Sequence, residues 1–306
     1  MERRVIVILG PTASGKTALG IEIAERLQTE IISADSRQLY RKLNIGTAKP
    51  THEELARVKH HFIDYLDINE EYNVSRFETE ALTVVDSLHA LGKIPVVVGG
   101  SGLYIKAIVD GIFNEVETDP EYREYLIELR EKKGNEYLYE MLRLKDPVAA
   151  AELLPQNWKR VIRALEVNKL TGKSIKDFHR DYKREDDLRF FQFGLNWERE
   201  KLYSRIEKRV DQMIESGLVE EVKSVLNEGF NKKMNALNTV GYKEIFDFLD
   251  GKISLDRAIE LIKRNTRRYA KRQLTWFRRD ERIKWLNVDT LTYFSALAEG
   301  IIEGQI

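Results

Sequence analysis

The chain contains no cysteine among its 306 residues. This absence excludes disulfides, thiolate zinc sites and a cysteine nucleophile, and it is consistent with a reducing compartment, so we expect a cytoplasmic protein. The sequence also lacks an apolar run long enough to span a membrane, and it lacks the apolar core of a signal peptide. We therefore expect no membrane partner.

Net charge is absent as well, because 50 Lys and Arg residues balance 50 Asp and Glu residues. The molecule as a whole has no nucleic-acid signature. The charges are unevenly distributed, however: residues 263–284 contain ten Lys or Arg residues and two acids. A local excess of this kind matters more for binding a polyanion than the total does.

The strongest motif is a glycine-rich stretch between an apolar run, Val5–Leu9, and a segment of helical periodicity, Ala18–Leu27. Strand, turn and helix in this order are the context of a phosphate-binding P-loop, whose amides and helix N-terminus cradle phosphate oxygens. Lys16 would add positive charge, and the Thr17 hydroxyl would bind Mg²⁺. The motif leaves open what happens to the bound di- or triphosphate. Its residues are Gly10, Pro11, Thr12, Ala13, Ser14, Gly15, Lys16 and Thr17.

Strand and helix signals alternate over the first 110 residues, which predicts a parallel sheet covered by helices on both faces. The expected fold class is α/β, with a P-loop NTPase-like sheet. Strands are predicted at 5–9, 30–34, 61–66, 94–98, 190–195 and 283–288. Helices are predicted at 18–27, 74–91, 199–215, 218–228, 241–249 and 254–277.

Residues 113–189 break this alternation. Helical patterns dominate there, at 119–133, 136–144 and 158–170, and we find no strand signal. We interpret the stretch as a helical insertion within a catalytic core that consists of residues 1–112 and 190–306.

Three loops follow predicted strands and should meet at the carboxyl edge of the sheet, where α/β proteins bind ligands. They are the P-loop, Asp35–Gln38 and Gly99–Gly102. Asp35 could serve as a general base or hold Mg²⁺ through water, or it could be an ordinary turn residue. Ser101 could approach a substrate closely or simply cap a helix. A common ATPase carries a Walker-B acid where this chain has Gly99-Gly100, which argues against hydrolysis or phosphoryl transfer.

Clustered cations occur on three predicted helices. Arg160 and Arg163 share one face of a helix, and Arg205 and Arg209 share a face of another. Solvated surface arginines are the alternative in both cases. In residues 267–279, cations are interleaved with aromatic side chains, a pattern that suits phosphate contacts and base stacking as well as it suits a solvated face over a packed core.

Together these segments resemble the tRNA dimethylallyltransferases, also called tRNA isopentenyltransferases. The Asp-Ser-Arg-Gln-Leu-Tyr and Ile-Gly-Thr-Ala-Lys-Pro blocks at 35–40 and 45–50, and the Lys-Arg-Gln-Leu-Thr-Trp-Phe-Arg block at 271–278, are far more specific than the P-loop. Shorter matches lie at 98–104, 163–167 and 239–242, so the resemblance spans nearly the whole chain. Trp158-Lys-Arg160 stands where family members often have Pro-Gln-Arg, and Gly-Gly-Ser stands for Gly-Gly-Thr.

The resemblance implies transfer of a dimethylallyl group from dimethylallyl diphosphate to N6 of adenosine 37, in tRNAs that read codons beginning with U. Mg²⁺ would be the cofactor, and the P-loop would hold the diphosphate that leaves. Lys16, Thr17 and Arg209, with Arg205 as second choice, would stabilise the developing charge. Asp35 would receive the N6 proton, and Ser101 would lie near the reacting centre.

The resemblance further implies contacts with the tRNA anticodon stem-loop. The residues implied are Asp35, Ser36, Arg37, Gln38, Ser101, Arg123, Lys159, Arg160, Arg163, Lys271, Arg272, Gln273 and Arg278. We expect a monomer with no obligate protein partner. On the residues alone two other functions stay open: a small-molecule kinase that binds ATP, and a nucleotide-gated RNA-binding module without covalent chemistry.

Overall fold

The computed structural model describes residues 2–112, 116–181, 184, 186–290 and 294–305. The chain divides into two compact units, Met1–Val109 with Asp186–Ile306, and Asp110–Glu185. The first unit contains strands β1 (Arg3–Leu9), β2 (Ile31–Ala34), β3 (His60–His61), β4 (Val96–Gly99), β5 (Leu188–Trp197) and β6 (Lys284–Val288). They form one parallel sheet in the order β3-β2-β4-β1-β5-β6, which confirms the predicted α/β class.

Helices connect the strands. Up to the second unit they are α1 (Lys16–Arg26), α2 (His52–Arg57), α3 (Val74–Ala90) and α4 (Gly102–Asp110). The second unit contains α5 (Pro120–Lys145), α6 (Pro147–Ala150), a 3₁₀ turn at Pro155–Asn157, α7 (Trp158–Thr171) and α8 (Ile175–Asp181). After β5 follow α9 (Arg199–Glu215), α10 (Leu218–Asn227), α11 (Tyr242–Leu249), α12 (Leu255–Phe277) and α13 (Phe294–Gln305).

Strand β1 lies at the centre of the sheet and is apolar on both faces. Val5, Val7 and Leu9 belong to one buried cluster, which includes side chains of α3, α10 and α11. Ile6 and Ile8 belong to the other, which includes side chains of α1, α9 and α13. This arrangement explains the near-continuous apolar run, since a strand covered on both sides has no solvent face.

The carboxyl ends of the central strands lie in register. Leu9 pairs with Gly99 of β4 and Gly194 of β5, and Ala34 of β2 also pairs with Gly99. The loops that follow β1, β2 and β4 therefore begin side by side, as the sequence predicted. This register brings the P-loop, Asp35 and Gly99-Gly100 to one edge.

The structure corrects several predicted elements. The strand expected at 61–66 is only His60–His61, because Phe62 and Asp64 adopt positive φ angles of 64° and 51° that no strand allows. The two helices expected at 119–133 and 136–144 are joined through Gly134, whose φ of 86° kinks α5. Helices α2, α6, α8 and α13 were not predicted.

All regular secondary structure among the described residues of the second unit is helical, and its core is formed mainly by α5 and α7. Beneath the surface, the fully buried carboxylate of Glu166 accepts hydrogen bonds from Arg123 Nη2 at 2.6 Å, Arg163 Nη1 at 2.5 Å and the Asp119 backbone N–H at 3.0 Å. Burial alone would raise the Glu166 pKa, but these bonds hold it below its usual value. The cluster ties the start of α5 to α7.

No helix among the described residues is long and apolar enough to cross a membrane.

The Glu166 cluster predicts a local stability defect. Glu166→Gln should lower the free energy of unfolding of this unit by about 3 kcal/mol. This is the lower end of the range for breaking a buried ion pair, because both guanidinium groups are partly exposed. Hydrogen exchange in α5 and α7 of the full chain should rise accordingly. Since the folded-state pKa is depressed, the cost should be complete above pH 5 and shrink as acid protonates the wild-type carboxylate. Glu128→Gln, which breaks only an exposed pair with Lys132, should leave exchange unchanged.

Candidate active site

The P-loop has the backbone of an anion cradle. Gly15 precedes α1 with a φ of 91°, a left-handed conformation that suits glycine, and Ala13 has a φ of 63°. Among the described residues, the amides of Ala13, Gly15, Lys16 and Thr17 have no hydrogen-bond partner. These four donors at a helix N-terminus are suited to phosphate oxygens.

Distant side chains hold the carbonyls of this loop. Trp197 Nε1 at the end of β5 donates to the Ser14 carbonyl at 2.9 Å, and Arg205 Nε of α9 donates to the Ala13 carbonyl at 2.8 Å. The Arg205 guanidinium also lies 4.6 Å from the centre of the Trp197 ring. Arg205 is thus engaged with the loop backbone and an aromatic face.

Gln273 of α12 makes a third attachment. Its Oε1 accepts from the Thr12 amide at 2.8 Å, and its Nε2 donates to the Gly100 carbonyl at 2.8 Å. The side chain is buried, and both the oxygen and the nitrogen of its amide are hydrogen-bonded to the backbone. The structure therefore gives Gln273 a positioning role, which differs from the tRNA contact that the resemblance implied.

A cavity of about 630 Å³ opens in front of the P-loop, within the size range of small-molecule sites. Lys16 lines it and donates from Nζ to the Pro11 carbonyl at 2.7 Å. Burial lowers the Lys16 pKa to about 7, and the nearby Arg209 charge adds to the effect, while Asp35 opposes it. The cavity thus holds positive charge at a cost that a bound anion would remove.

Arg209 lies one turn after Arg205 on α9 and also lines the cavity. It forms no hydrogen bond or ion pair with any residue that the structure describes, and burial, followed by repulsion from Arg205, lowers its pKa. Of the two arginines that the sequence left in competition, Arg209 is the one whose guanidinium remains available to a ligand.

Asp35 follows β2 and lines the same cavity. Its Oδ1 accepts from the Arg37 amide at 2.8 Å and the Gln38 amide at 3.4 Å, which closes a turn. The second oxygen, Oδ2, has no donor among the described residues. One oxygen therefore fixes the carboxylate while the other remains free to accept a proton.

Ser101 supports this turn. Its Oγ accepts from the Ser36 amide at 3.0 Å and lies 3.3 Å from Ser36 Oγ, so it ties the loop after β4 to the loop after β2. Ser36 lines the cavity. The Ser101 hydroxyl, which was expected near the reacting centre, thus binds Ser36, the residue that follows Asp35, and not Asp35 itself.

The loop at 44–48 completes the wall beside Asp35. Gln38 Nε2 donates to the carbonyls of Thr47 and Ala48 at 3.3 and 3.0 Å. Glu221 of α10 accepts from the amides of Asn44, Ile45 and Gly46 at 2.8–3.0 Å, and from the Tyr242 hydroxyl at 2.5 Å. Glu221 was not singled out from the sequence, because nothing local marks an acid that binds a loop some 175 residues earlier.

The surroundings of Gly99 explain why β4 does not end in an acid. A Cβ on Gly99 would lie 2.3 Å from the Ala34 carbonyl oxygen. Any side chain there would displace β2 and with it Asp35. The position of a Walker-B acid is therefore closed in this chain.

The cations expected to bind tRNA differ in their surroundings. Lys271, Arg272 and Arg278 are exposed on α12 and form no ion pair with the described residues, and Arg272 lines the cavity. Tyr269 also lines the cavity, but Phe277 is buried in the core and Trp276 packs against Gly102. Of the three aromatics considered for base stacking, only Tyr269 borders the cavity.

In the second unit, Lys159 and Arg160 are exposed, whereas Arg123 and Arg163 are bound to Glu166. Arg163 also donates to the carbonyls of Val116 and Glu117. These bonds give Arg123 and Arg163 a structural role, and they leave Lys159 and Arg160 as the accessible cations of the predicted set.

The residues present fit Mg²⁺ held together with a phosphate ligand. No cluster of three or more acids and histidines that could hold a metal exists among the described residues. Thr17, however, lies at the start of α1 with a hydroxyl that no described residue engages, and it lines the cavity with Asp35. Mg²⁺ commonly keeps several waters and binds through one or two protein oxygens and substrate phosphates.

Comparison with known proteins gives one family. The family model described as IPP transferase matches residues 38–280. The protein of Acetivibrio thermocellus named tRNA dimethylallyltransferase is 49% identical over 288 residues, 93% of this chain and 92% of that protein. The protein of Carboxydothermus hydrogenoformans with the same name is 48% identical over 289 residues, 94% of this chain and 93% of that protein.

Solved structures agree. The tRNA isopentenylpyrophosphate transferase of Bacillus halodurans is 40% identical, with a TM-score of 0.73 over 98% of this chain and 96% of that one. A eukaryotic dimethylallyltransferase, solved in snapshots of its action on tRNA, is 29% identical, with a TM-score of 0.81 over 99% of this chain and 80% of that one.

The Lys16 environment predicts a titration. One lysine ε-carbon should titrate near pH 7 in a ¹³C NMR pH series, and its signal should vanish in Lys16→Arg. Inorganic diphosphate should raise this pKa, because the anion stabilises the ammonium, so diphosphate affinity should fall as pH rises from 7 to 9. If every lysine titrates above pH 9 in the free protein, burial does not act on Lys16 as described.

Proposed function

The chain belongs to the IPP transferase family, and we propose from this premise that it prenylates adenosine 37 of tRNA at N6, with dimethylallyl diphosphate as donor and Mg²⁺ as cofactor. It is an enzyme that transfers a dimethylallyl group to tRNA. The observation that carries the assignment of roles is the combination at one sheet edge of a phosphate cradle, a carboxylate with one free oxygen and a closed Walker-B position.

The proposed reaction breaks a carbon–oxygen bond. The adenine N6 attacks C1 of the dimethylallyl group, the bond from C1 to the diphosphate oxygen breaks, and diphosphate leaves with the electron pair. The P-loop therefore holds a leaving group and does not activate a phosphorus atom. A Walker-B carboxylate is not needed for this reaction, which is consistent with the glycine at position 99.

Asp35 is the proposed base. An adenine amine is a weak nucleophile, since its lone pair is delocalised into the ring, and a carboxylate that binds N6–H both orients it and removes its proton. The Asp35 Oδ1 is occupied by the turn amides, so the proton goes to Oδ2. Ser101 and Ser36 hold this turn in place rather than contact the reacting atoms.

Charge that develops on the departing diphosphate is stabilised by cations that the free protein holds at a cost. Lys16 and Arg209 both have lowered pKa values and both line the cavity. Preorganised groups of this kind act most strongly in a site shielded from water. Mg²⁺, held by Thr17 and the diphosphate, would supply further positive charge to the leaving oxygens.

The apolar part of the cavity suits the prenyl chain. Val210, Met213, Val240 and Ile262 line it beside Arg209. The target adenine has to leave its stack to enter, at a cost of a few kcal/mol, and Tyr269 offers it an aromatic face. We assign contacts with the tRNA backbone to the exposed cations Lys271, Arg272 and Arg278 on α12 and Lys159 and Arg160 on α7.

A direct assay tests the proposal against a kinase and against a non-catalytic RNA-binding module. The protein is incubated with Mg²⁺, radiolabelled dimethylallyl diphosphate and unmodified tRNA that contains adenosine 37, or the same tRNA with guanosine 37. Label should enter only the first RNA. ATP turnover in a parallel incubation that contains ATP, without labelled RNA, would favour the kinase, and tight RNA binding without any label would favour the binding module.

Asp35→Asn should lower kcat by roughly 10²–10⁴-fold, the usual range for a lost acid–base group. Asparagine Oδ1 can still accept the two turn amides, so the loop and the affinity for tRNA should change little. Single-turnover transfer and filter binding of tRNA measure the two quantities. Unchanged kcat would remove Asp35 from the mechanism, and equal losses in both would make it a folding residue.

Arg272→Ala should weaken tRNA binding and make the slope of log Kd against log salt shallower by about one. Arg189 is the matched control. It is exposed near the start of β5, at the sheet edge opposite the cavity, and it pairs with Glu2. Arg189→Ala should leave the slope unchanged. Equal slopes for Arg272→Ala and wild type would assign Arg272 to structure.

A further inference from the structure

Gln273 of α12 forms hydrogen bonds with both loops of the diphosphate site. It joins the P-loop, through the Thr12 amide, to the loop after β4, through the Gly100 carbonyl. The side chain is only 6% exposed, so these bonds are shielded from competing water. The same amide group therefore fixes the distance between two loops that are some 90 residues apart in sequence.

Gly100 is shaped for this contact. A Cβ on Gly100 would lie 2.5 Å from Gln273 Nε2, so only glycine allows the amide to reach the carbonyl. Asparagine is shorter by one methylene, and glutamate would place an oxygen against the Gly100 carbonyl oxygen. The pair of bonds thus requires both a glutamine and a glycine.

Opposite Gln273, α12 presents unpaired positive charge. Arg264, Arg268, Lys271 and Arg278 are exposed, and none of them forms an ion pair within the described part of the chain. At 3.6 residues per turn they fall within about 80° of the helix circumference, with Arg272 between this arc and the cavity. The helix is buried through Ala270, Gln273 and Phe277 and carries its cations outward.

We propose that Gln273 is a positioning residue that couples occupation of the diphosphate site to tRNA bound on α12. This inference rests on the proposed function for the identity of the polyanion. An RNA that engages the outer cations changes how firmly α12 is seated on the sheet edge, and Gln273 passes that change to the P-loop through Thr12. By linkage, diphosphate must strengthen tRNA binding by the same factor as tRNA strengthens diphosphate binding.

The experiment measures the affinity for inorganic diphosphate with Mg²⁺, with and without saturating unmodified tRNA, a pair that cannot turn over. In the wild type, tRNA should raise diphosphate affinity at least about fivefold, the lower end of common coupling. Gln273→Met should weaken diphosphate binding without tRNA about tenfold, as expected for a lost positioning hydrogen bond. It should also bring the coupling factor close to one.

Gln192→Met is the matched control, because Gln192 is a buried glutamine of β5 that hydrogen-bonds Asp280 and not the P-loop. It should lower the melting temperature in the manner of Gln273→Met yet keep the wild-type coupling. Gly100→Ala should reproduce the Gln273→Met defects, and the double variant should be no worse than either, since both changes break one contact.

Three results would overturn the inference: an unchanged diphosphate affinity in Gln273→Met, a coupling factor of one in a wild-type protein that does bind tRNA, or the loss of coupling in Gln192→Met as well. A weakened affinity for tRNA alone, with diphosphate binding intact, would return Gln273 to direct RNA contact. Failure of the proposed function is distinguishable, because a protein that binds no tRNA still reports the Gln273→Met effect on diphosphate alone.

Discussion

The backbone of the P-loop can bind an anion only if its carbonyl oxygens are held away from the ligand. In this protein, Trp197 holds the carbonyl of Ser14 and Arg205 that of Ala13, while Lys16 holds that of Pro11. An exposed carbonyl next to a diphosphate would repel it, and an unpaired buried carbonyl would itself be costly. The later parts of the chain, β5 and α9, are arranged around this requirement.

The same constraint separates two arginines that the sequence could not tell apart. The Arg205 guanidinium is hydrogen-bonded to the Ala13 carbonyl and stacks on the Trp197 ring. The neighbouring Arg209 therefore remains available at the cavity. Burial, followed by repulsion from Arg205, lowers the pKa of Arg209. A bound anion would relieve the repulsion between Arg205 and Arg209. The same electrostatic interaction would therefore favour binding of the anion and stabilise its negative charge.

Local patterns sufficed to predict the sheet, the carboxyl edge and the residues at strand ends, because a parallel strand and the loop after it are contiguous in sequence. Asp35 and the P-loop are of this kind. Helix α2 was missed although Thr51 and Glu54 form a capping box that marks its start. Gln273 and Glu221 could not be assigned from sequence, since their partners lie at separations of 261 and about 176 residues.

Charge pattern was the least informative signal. Arg123 and Arg163 look like surface cations in sequence, yet they form ion pairs with Glu166, a buried acid of α7. A guanidinium that compensates a buried carboxylate cannot be released to a phosphate without leaving that charge unpaired. Lys159 and Arg160 form no ion pair with a carboxylate among the described residues.

Two of the sequence blocks that carry the resemblance have a structural explanation. Gly46 has no room for a Cβ, which would lie 2.3 Å from the Tyr242 ring, and Tyr242 in turn donates to Glu221. Glu221 fixes the amides of residues 44–46, and Gln38 fixes the carbonyls that follow. The Ile-Gly-Thr-Ala-Lys-Pro and Thr-Val-Gly-Tyr blocks are therefore two halves of one contact. That contact holds the cavity wall beside Asp35, and it leaves no room for a side chain at position 46.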